Sequence, residues 1–197
     1  MKTIALAAAF AATILTPTVA SAQAIPGAVV AVVDLEKVTG QCTACKTATA
    51  ALQGQVNALK AREQALAAPL QTEGKAIQAS IDALKGAEPD AALQARVKAF
   101  QTKQQTGAQE LQRQQVQIQR NQAYISQQIQ TKLGPIYQQV MQRRGANVMV
   151  EVGNTLATGA ALDVSNDVLA ALNAALPSVS TTAPAQAAPA QQQPQGR

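Results

Sequence analysis

Two long segments with heptad-spaced apolar residues constrain the fold of this chain more than any other feature. They lie between residues 46 and 144 and are separated by a short break at residues 86–90. Within each segment most apolar residues recur at the spacings of a coiled-coil seam. They are Leu52, Val56, Leu59, Leu66, Leu70, Ile77 and Leu84 before the break and Leu93, Val97, Phe100, Leu111, Ile118 and Ile125 after it. We therefore predict two long α-helices that pack along one seam.

The break between the two segments predicts a reversal of the chain. Gly86 can end the first helix, Pro89 cannot continue it, and Asp90 can cap the second. A rise of about 1.5 Å per residue makes the first helix roughly 60 Å long, more than the thickness of a small domain. We predict an antiparallel helical hairpin, residues 46–144, that projects from the rest of the protein. This hairpin is called the arm below.

Polar and small residues interrupt the seam and favour a flexible arm. Each one replaces a Leu or Ile and removes buried apolar area, at roughly 25 cal/mol per Å². Proline inside a helix removes a backbone donor and crowds the preceding turn, and glycine weakens the helix further. The interrupting residues are Glu63, Glu73, Gln104, Gly107, Gln114 and Asn121, and kinks are predicted at Pro69, Gly74, Gly134 and Pro135.

The segments that flank the arm, residues 23–45 and 145–176, predict a small β-rich body. Residues 28–34 and 147–152 are apolar, β-branched runs, which are typical of strands covered on both faces. Because the two runs lie at opposite ends of the arm, they must meet at its root. The predicted fold class is α+β, with a small β-sheet body and a long projecting antiparallel coiled-coil hairpin.

The last part of the body predicts one more strand and one helix. Gly153 and Asn154 are a turn signal, residues 155–161 could form a short third strand, and Ser165 could cap the final helix. A body this small, without aromatic residues, buries little surface, and oligomerisation would compensate. The candidates for an oligomer core are Val30, Val32, Val150 and Leu169.

Both ends of the chain predict segments outside the folded region. Residues 1–22 resemble a secretion signal, because Lys2 precedes an apolar stretch and Ala20-Ser21-Ala22 forms a small-residue cleavage site. We expect cleavage after Ala22 and export, most simply to a bacterial periplasm; an uncleaved membrane anchor is the alternative. Residues 177–197 are rich in Ala, Pro and Gln and predict a disordered tail.

Charge is distributed unevenly between the arm and the rest of the chain. Residues 46–144 contain 13 Lys and Arg against 6 Asp and Glu, whereas the other residues after position 22 contain 2 against 5. A basic arm could attract nucleic acid, anionic lipid or acidic polypeptides. The alternative is that these charges only solvate the outer faces of a coiled coil. Export and the scarcity of aromatic residues argue against nucleic acid.

The sequence offers little catalytic chemistry. It has no His, so the usual general base and the commonest metal ligand are both missing. No serine lies in a Gly-x-Ser-x-Gly motif, and the carboxylates are scattered along helices. Residues 40–47 resemble a phosphate-binding loop, but Cys45 replaces its second glycine, so we attribute the match to chance. We predict no enzyme activity, no metal and no cofactor.

Cys42 and Cys45 form a Cys-x-x-Cys motif at the start of the first long helix. A helix N-terminus lowers the pKa of a thiol and favours exchange chemistry, but a thioredoxin-like site needs a surrounding βαβ domain. Zinc would need two further ligands, available only from other subunits. In an oxidising compartment a structural disulfide, local or between subunits, is the simpler interpretation, and we favour it.

The order of these motifs resembles the Skp family of OmpH-like periplasmic chaperones. The resemblance is carried by a signal, a first strand ending in Val32-Val33-Asp34-Leu35, an Ala- and Gln-rich hairpin, a Val148-Met149-Val150-Glu151 strand and a closing helix after Leu162-Asp163-Val164-Ser165. It implies a homotrimer whose hairpins enclose a cavity that holds unfolded outer-membrane β-barrel proteins without ATP. It also implies a possible anionic lipid or lipopolysaccharide surface, for which no residues are carried over. The Cys pair, Pro69 with Gly74, and the tail depart from the family pattern.

Three functional hypotheses follow. The first is an ATP-independent periplasmic holdase, a chaperone that keeps unfolded outer-membrane proteins from aggregating. The second is a structural coiled-coil adaptor of the cell envelope that binds a folded partner, and the third, which we disfavour, is a thiol oxidoreductase. The candidates for basic contacts with an unfolded protein are Lys60, Lys75, Lys85, Arg96, Lys98 and Lys103.

Overall fold

The computed structural model describes residues 26–185, and the predicted secretion signal lies outside them. The described chain is mostly helical with one two-stranded sheet, which confirms the α+β class. Its elements are β1 (Val30–Val33), α1 (Leu35–Gln41), α2 (Thr43–Ala83), α3 (Ala91–Arg144), β2 (Val148–Glu151), two 3₁₀ turns (Val152–Asn154 and Ala160–Leu162) and α4 (Ser165–Ala175). None of the helices in this range is long and apolar enough to cross a membrane.

Helices α2 and α3 form the hairpin of the arm. Lys85 and Gly86 adopt positive φ angles of 49° and 96° at its tip, and the Asp90 carboxylate caps α3 by accepting the Leu93 N–H at 2.8 Å. The helices are antiparallel, because contacts pair rising positions of α2 with falling positions of α3. These contacts are Gln55–Asn121, Arg62–Glu110, Leu66–Gly107 and Glu73–Lys103.

Strands β1 and β2 join the two ends of the arm in a parallel pair, in register from Val30 opposite Val148 to Val33 opposite Glu151. The prediction of a third strand at residues 155–161 was wrong. Gly159 and the small residues beside it offer little area to bury, and the chain there is irregular. At the free edge of β1, a single bridge from Val32 to Asp163 takes the place of that strand.

A short helix that the sequence did not reveal separates β1 from the arm. The Asp34 carboxylate accepts the Lys37 N–H at 2.8 Å and starts α1, which ends where Cys42 leaves the helical conformation. Helix α2 then begins at Thr43, a little before the predicted start of the arm. The segment after Asp34 is thus helical and adds Val38, which is fully buried, to the body.

The core lies at the root of the arm. Past Ile125 the apolar residues of α3 leave the seam spacing, and Leu133, Ile136 and Val140 enter the body instead. They pack with residues of β1, α1 and α4, among which Val38, Val168 and Leu172 are fully buried. An ion pair between Arg144 Nη2 and Asp167 Oδ2 at 2.6 Å ties the end of α3 to α4. The body and the lower part of α3 are therefore one packed unit.

Ser165 is not the N-cap of the last helix, contrary to the sequence prediction. Helix α4 begins at Ser165 itself, which is fully buried. Its hydroxyl donates to Asp163 Oδ1 at 2.5 Å and accepts the Asp34 N–H at 2.8 Å, while its own N–H donates to Asp163 Oδ1 at 2.8 Å. Val164 holds the N-cap position without a side-chain cap, Asp163 Oδ1 accepts the first N–H of α4, and Ser165 links α4 to the end of β1.

The prediction of a disordered tail was wrong for residues 177–185, and residues 186–197 lie outside the described range. Low apolar content favoured disorder, but polar side chains of the arm hold this segment through its backbone. Gln128, for example, bonds to Ser180 with both atoms of its amide group. Val179 also packs against the core. Backbone hydrogen bonds therefore replaced the apolar burial that the sequence lacks.

Ser165→Ala should lower the free energy of unfolding by about 1–3 kcal/mol, because it leaves the Asp34 N–H without its acceptor in a buried site. Urea unfolding at fixed protein concentration measures the change. Ser126→Ala, at an exposed position of α3, should have little effect. Equal midpoints for the two variants would contradict this role of Ser165.

The Asp163 carboxyl should make the folded protein less stable in acid. Hydrogen bonds from Ser165 lower the pKa of the Asp163 carboxyl below its ordinary value of 3.8. A lowered folded-state pKa gives stability that is present above the unfolded value and is lost as the pH falls through the folded value. The advantage of the wild type over Asp163→Asn should therefore shrink below about pH 4. Thermal unfolding against pH measures it, with Glu88→Gln in the exposed tip turn as control.

Candidate functional site

The seam of the arm remains half-exposed along most of its length. Among the apolar residues of the predicted seam, Ile77 and Ile125 are buried in the single chain. Ile81 and Val116, which lie outside the predicted seam, are 40% and 48% exposed. Seam residues that stay half-buried are Leu52, Val56, Leu59, Leu66, Leu70, Leu84, Leu93, Val97, Phe100, Leu111 and Ile118. The arm thus presents a long apolar stripe, because each helix has only the other as a partner.

An open groove of about 450 Å³ lies in the middle of the arm, between α2 and α3. Its floor is apolar and includes Leu66, Pro69, Leu70 and Gly107. The groove exists because Gly107 occupies a seam position without filling it, and the Leu66 side chain is its nearest neighbour. The rim is charged and consists of Arg62, Glu73, Lys103, Glu110 and Arg113.

Two ion pairs across the hairpin frame this groove. Arg62 is bidentate on Glu110, with Nε and Nη2 at 2.8 and 2.9 Å from the carboxylate oxygens. The hydrogen bond to Glu110 and its charge raise the pKa of Arg62, and the same hydrogen bond lowers the pKa of Glu110. Lys103 Nζ lies 2.8 Å from Glu73 Oε2. Because these pairs face solvent, they fix the register of the helices more than they stabilise them.

The arm helices run without interruption through the predicted kink positions. Helix α2 includes Pro69 and Gly74, and α3 includes Gly134 and Pro135. Gly74 has a packing role, because a Cβ atom there would lie 3.3 Å from Cζ of Phe100. Any bending at these positions is therefore accommodated within continuous helices, and small residues let the two helices approach each other.

The basic candidates are spread along the arm rather than gathered at one point. Lys60, Lys75, Arg96 and Lys98 are exposed on the two helices. Lys85 is exposed in the tip turn. Lys103 is the member of the set that pairs with a carboxylate, Glu73. The sequence missed Arg62 and Glu110, although a hairpin folded near position 87 would have placed them opposite each other.

The body exposes several large apolar side chains. In the described chain, Leu156 is fully exposed at 108%, and Val29, Val148, Val152 and Leu162 are between 37% and 51% exposed. The oligomer-core candidates divide into two groups. Val32 is already buried within the chain at 3% exposure, whereas Val30, Val150 and Leu169 are half-buried. The side of β2 away from β1 carries no strand in the described structure.

A second groove, of about 410 Å³, lies beside α1 at the root of the arm. Its lining includes Leu35, Ile129, Leu133 and Tyr137. Burial, and then the nearby charge of Glu151, raise the pKa of the Tyr137 hydroxyl. The hydroxyl therefore stays protonated to a higher pH than that of an ordinary tyrosine.

Cys42 and Cys45 form a disulfide within the chain, at the junction of α1 and α2. Both residues are buried, at 0% and 3% exposure, and belong to the core cluster. Their burial and pairing leave no accessible thiolate for exchange. Residues 40–47 form a helix end, the junction and a helix start, so the open loop of a phosphate site is not formed. Within residues 26–185 no cluster of three or more Cys, Asp or Glu could hold a metal ion.

Comparisons with known proteins agree on one family. The model of the family "Outer membrane protein (OmpH-like)" matches residues 29–172. A crystal structure of a proposed outer membrane chaperone (OmpH-like) from Caulobacter crescentus CB15 is similar at a TM-score of 0.65 and 22% identity. The similarity covers 80% of this chain and 89% of that one. No curated protein gives a significant match.

Two glycines of the arm should respond differently to replacement by alanine. Gly107→Ala should raise the free energy of unfolding by about 0.5–1 kcal/mol, because alanine is the better helix former and its Cβ would make ordinary contact with Leu66 at 3.6 Å. Gly74→Ala should gain less or lose stability, because Phe100 must move. Chemical unfolding measures both. Gly54→Ala, where the Cβ meets open space, reports the helix preference alone, and a larger gain at Gly74 would contradict the packing role.

Proposed function

Because this chain belongs to the OmpH-like outer membrane protein family, we propose that it is an ATP-independent periplasmic holdase. Its clients are unfolded outer-membrane β-barrel proteins, which it holds between flexible helical arms and keeps from aggregating on their way to the membrane. The chaperone description of the structurally similar Caulobacter protein accords with this role. The predicted secretion signal at residues 1–22 supports a periplasmic location.

The observation that carries the proposal is the half-exposed seam of the arm. An unfolded barrel protein exposes alternating apolar side chains that need weak cover over a long distance. The stripe along the arm offers such cover at many points, and the groove between α2 and α3 is open. Many weak contacts give strong overall retention together with easy release, because each contact can break separately. A holdase without a nucleotide cycle depends on such release.

The basic residues of the arm support the same function. Their excess, 13 basic against 6 acidic residues in positions 46–144, provides a positive field that attracts acidic polypeptide segments over long distances. Their even spread suits a client without fixed structure, because no one arrangement of charges is demanded. The same field could attract anionic lipid or lipopolysaccharide at the membrane surface, as the resemblance implies.

Homotrimer formation is part of the proposal. A two-stranded parallel sheet on its own is marginal, and parallel strands are normally covered on both faces. The outer edge of β2 and the exposed Val148, Val152 and Leu156 would find partners in neighbouring subunits. Joining three bodies in this way would direct three arms to the same side and enclose a cavity. Burial of Val30, Val150 and Leu169 would be completed at that contact.

Light scattering coupled to size exclusion tests the assembly and the client together. We expect the mature protein to have about three chain masses and to gain one urea-unfolded outer-membrane barrel without nucleotide. Client aggregation, followed by turbidity after dilution from urea, should be suppressed at submicromolar chaperone. A monomer that ignores the unfolded barrel but retains one folded envelope protein would favour the adaptor function instead. Strict dependence on ATP would contradict the holdase.

Charge removal at the outer part of the arm should weaken client binding. The variant Lys75→Gln, Lys85→Gln and Lys98→Gln should raise the client Kd roughly 10-fold at low salt, and less at high salt, where screening already weakens the field. Fluorescence anisotropy with a labelled unfolded barrel measures the Kd. The control Lys46→Gln, Lys132→Gln and Arg143→Gln removes the same charge from exposed positions near the root. Equal effects of the two variants would show that only net charge matters and that the outer arm has no special role.

A further inference from the structure

The segment of residues 177–185, called the C-terminal segment below, lies along the root half of the arm as irregular chain with bends at Pro177, Thr181 and Thr182. Gln128 of α3 contacts Ser180 of this segment with both ends of its amide. The Ser180 N–H donates to Gln128 Oε1 at 3.0 Å, and Gln128 Nε2 donates to the Ser180 carbonyl at 2.9 Å. This is the pairing that one β-strand residue makes with its neighbour, supplied here by a side chain.

Three further arm residues bind the same segment through its backbone. Gln55 Nε2 donates to the Thr181 carbonyl at 3.2 Å. Asn121 Oδ1 accepts the Ala183 N–H at 2.9 Å. Arg120 Nη2 donates to the Pro184 carbonyl at 2.8 Å. We call Gln55, Arg120, Asn121 and Gln128 the amide ladder. All of its contacts with the segment go to main-chain atoms, so none of them depends on the identity of a side chain.

The burial and hydrogen bonding of Asn121 indicate that the amide ladder is part of the packed structure of the arm. It occupies a seam position and is 4% exposed, where an apolar residue would stabilise the helices more. Its Nδ2 donates to Gln55 Oε1 at 2.8 Å, and its Oδ1 accepts from Gln117 Nε2 at 2.7 Å as well as from Ala183. A buried amide is costly unless it is satisfied. The network holds its groups in position to bind the backbone of a chain that is neither helix nor strand.

We propose that the amide ladder is a binding site for irregular polypeptide backbone and that the C-terminal segment is its built-in occupant. The inference rests on the proposed function only for the identity of the competitor, which is an unfolded client. A client strand can make the same hydrogen bonds, because they require only N–H and C=O groups. The segment therefore closes part of the arm until a client displaces it.

Because the C-terminal segment is covalently attached, we expect that only a long unfolded chain can displace it. An attached segment competes at an effective concentration of about millimolar, so short peptides displace it poorly. A long unfolded chain that already contacts the apolar stripe has the same local advantage and can take the ladder. The segment thus raises the threshold for capture and helps to eject a client whose other contacts have weakened.

Hydrogen exchange followed by mass spectrometry on the full chain tests the site. The Ser180 and Ala183 amides should be protected in the wild type, and Gln128→Ala should speed exchange of the Ser180 amide roughly 10-fold by removing its acceptor. Gln127→Ala, at an exposed neighbour, should leave the exchange unchanged. An unprotected segment in the wild type, or equal exchange in the two variants, would overturn the proposal.

Saturation with a urea-unfolded outer-membrane barrel tests displacement. Faster exchange of residues 177–185 in the complex supports competition for the ladder. If light scattering shows that the client is bound but the protection of residues 177–185 is unchanged, the ladder is not a client site. The proposed holdase function would still stand.

A separate experiment tests the site without depending on the holdase function. Ser180→Pro removes the N–H that Gln128 accepts and frees the ladder. An added peptide with the sequence of residues 177–185 should therefore bind this variant more tightly than it binds the wild type. Adding Gln128→Ala to that variant should abolish the gain. If the barrel is not bound but the peptide behaves in this way, the backbone site stands and the proposed function fails. If the peptide binds neither the wild type nor the Ser180→Pro variant, the proposed backbone site is overturned.

Discussion

A two-helix arm cannot bury its own seam, and the rest of this structure depends on that constraint. Each helix covers the other on one side only, so leucines that would be core in a larger bundle stay half-exposed. The ion pairs at Arg62 and Lys103 and the close approach at Gly74 keep the helices in register without removing this exposure. An apolar surface that is stable in water and never fully satisfied is what a protein needs to hold unfolded chains.

The root of the arm has the opposite requirement, because it must attach two long helices firmly to a small body. Lower α3 leaves the seam and supplies Leu133, Ile136 and Val140 to the core. The Cys42–Cys45 disulfide closes the joint at the start of α2, and Ser165 ties α4 to the end of β1. Under the proposed function, firm attachment at the root and weaker cohesion along the arm would let the arm yield to a client while the body stays folded.

The sequence predicted the arm well and the body less well, for different physical reasons. Heptad spacing and the signals at Gly86 and Asp90 are local, so they identify helices and the turn between them. Helix α1 and the irregular chain at residues 155–161 were missed because short elements depend on what covers them. The groove was missed because Gly107 and Leu66 meet only once the register of the hairpin is known. The C-terminal segment was misjudged because composition reports apolar burial and not backbone hydrogen bonds to distant side chains.

The sequence by itself determined that two long helices fold back on each other, that the arm is basic, and that catalytic groups are scarce. These properties reside in spacing and composition, which neighbouring residues alone set. Only the tertiary structure decided that Cys42 and Cys45 are paired in the core, that Ser165 links α4 to β1 instead of capping α4, and that Gln128 holds Ser180. Each of these depends on groups brought together from distant positions or on the burial around them, and no local pattern encodes such distances.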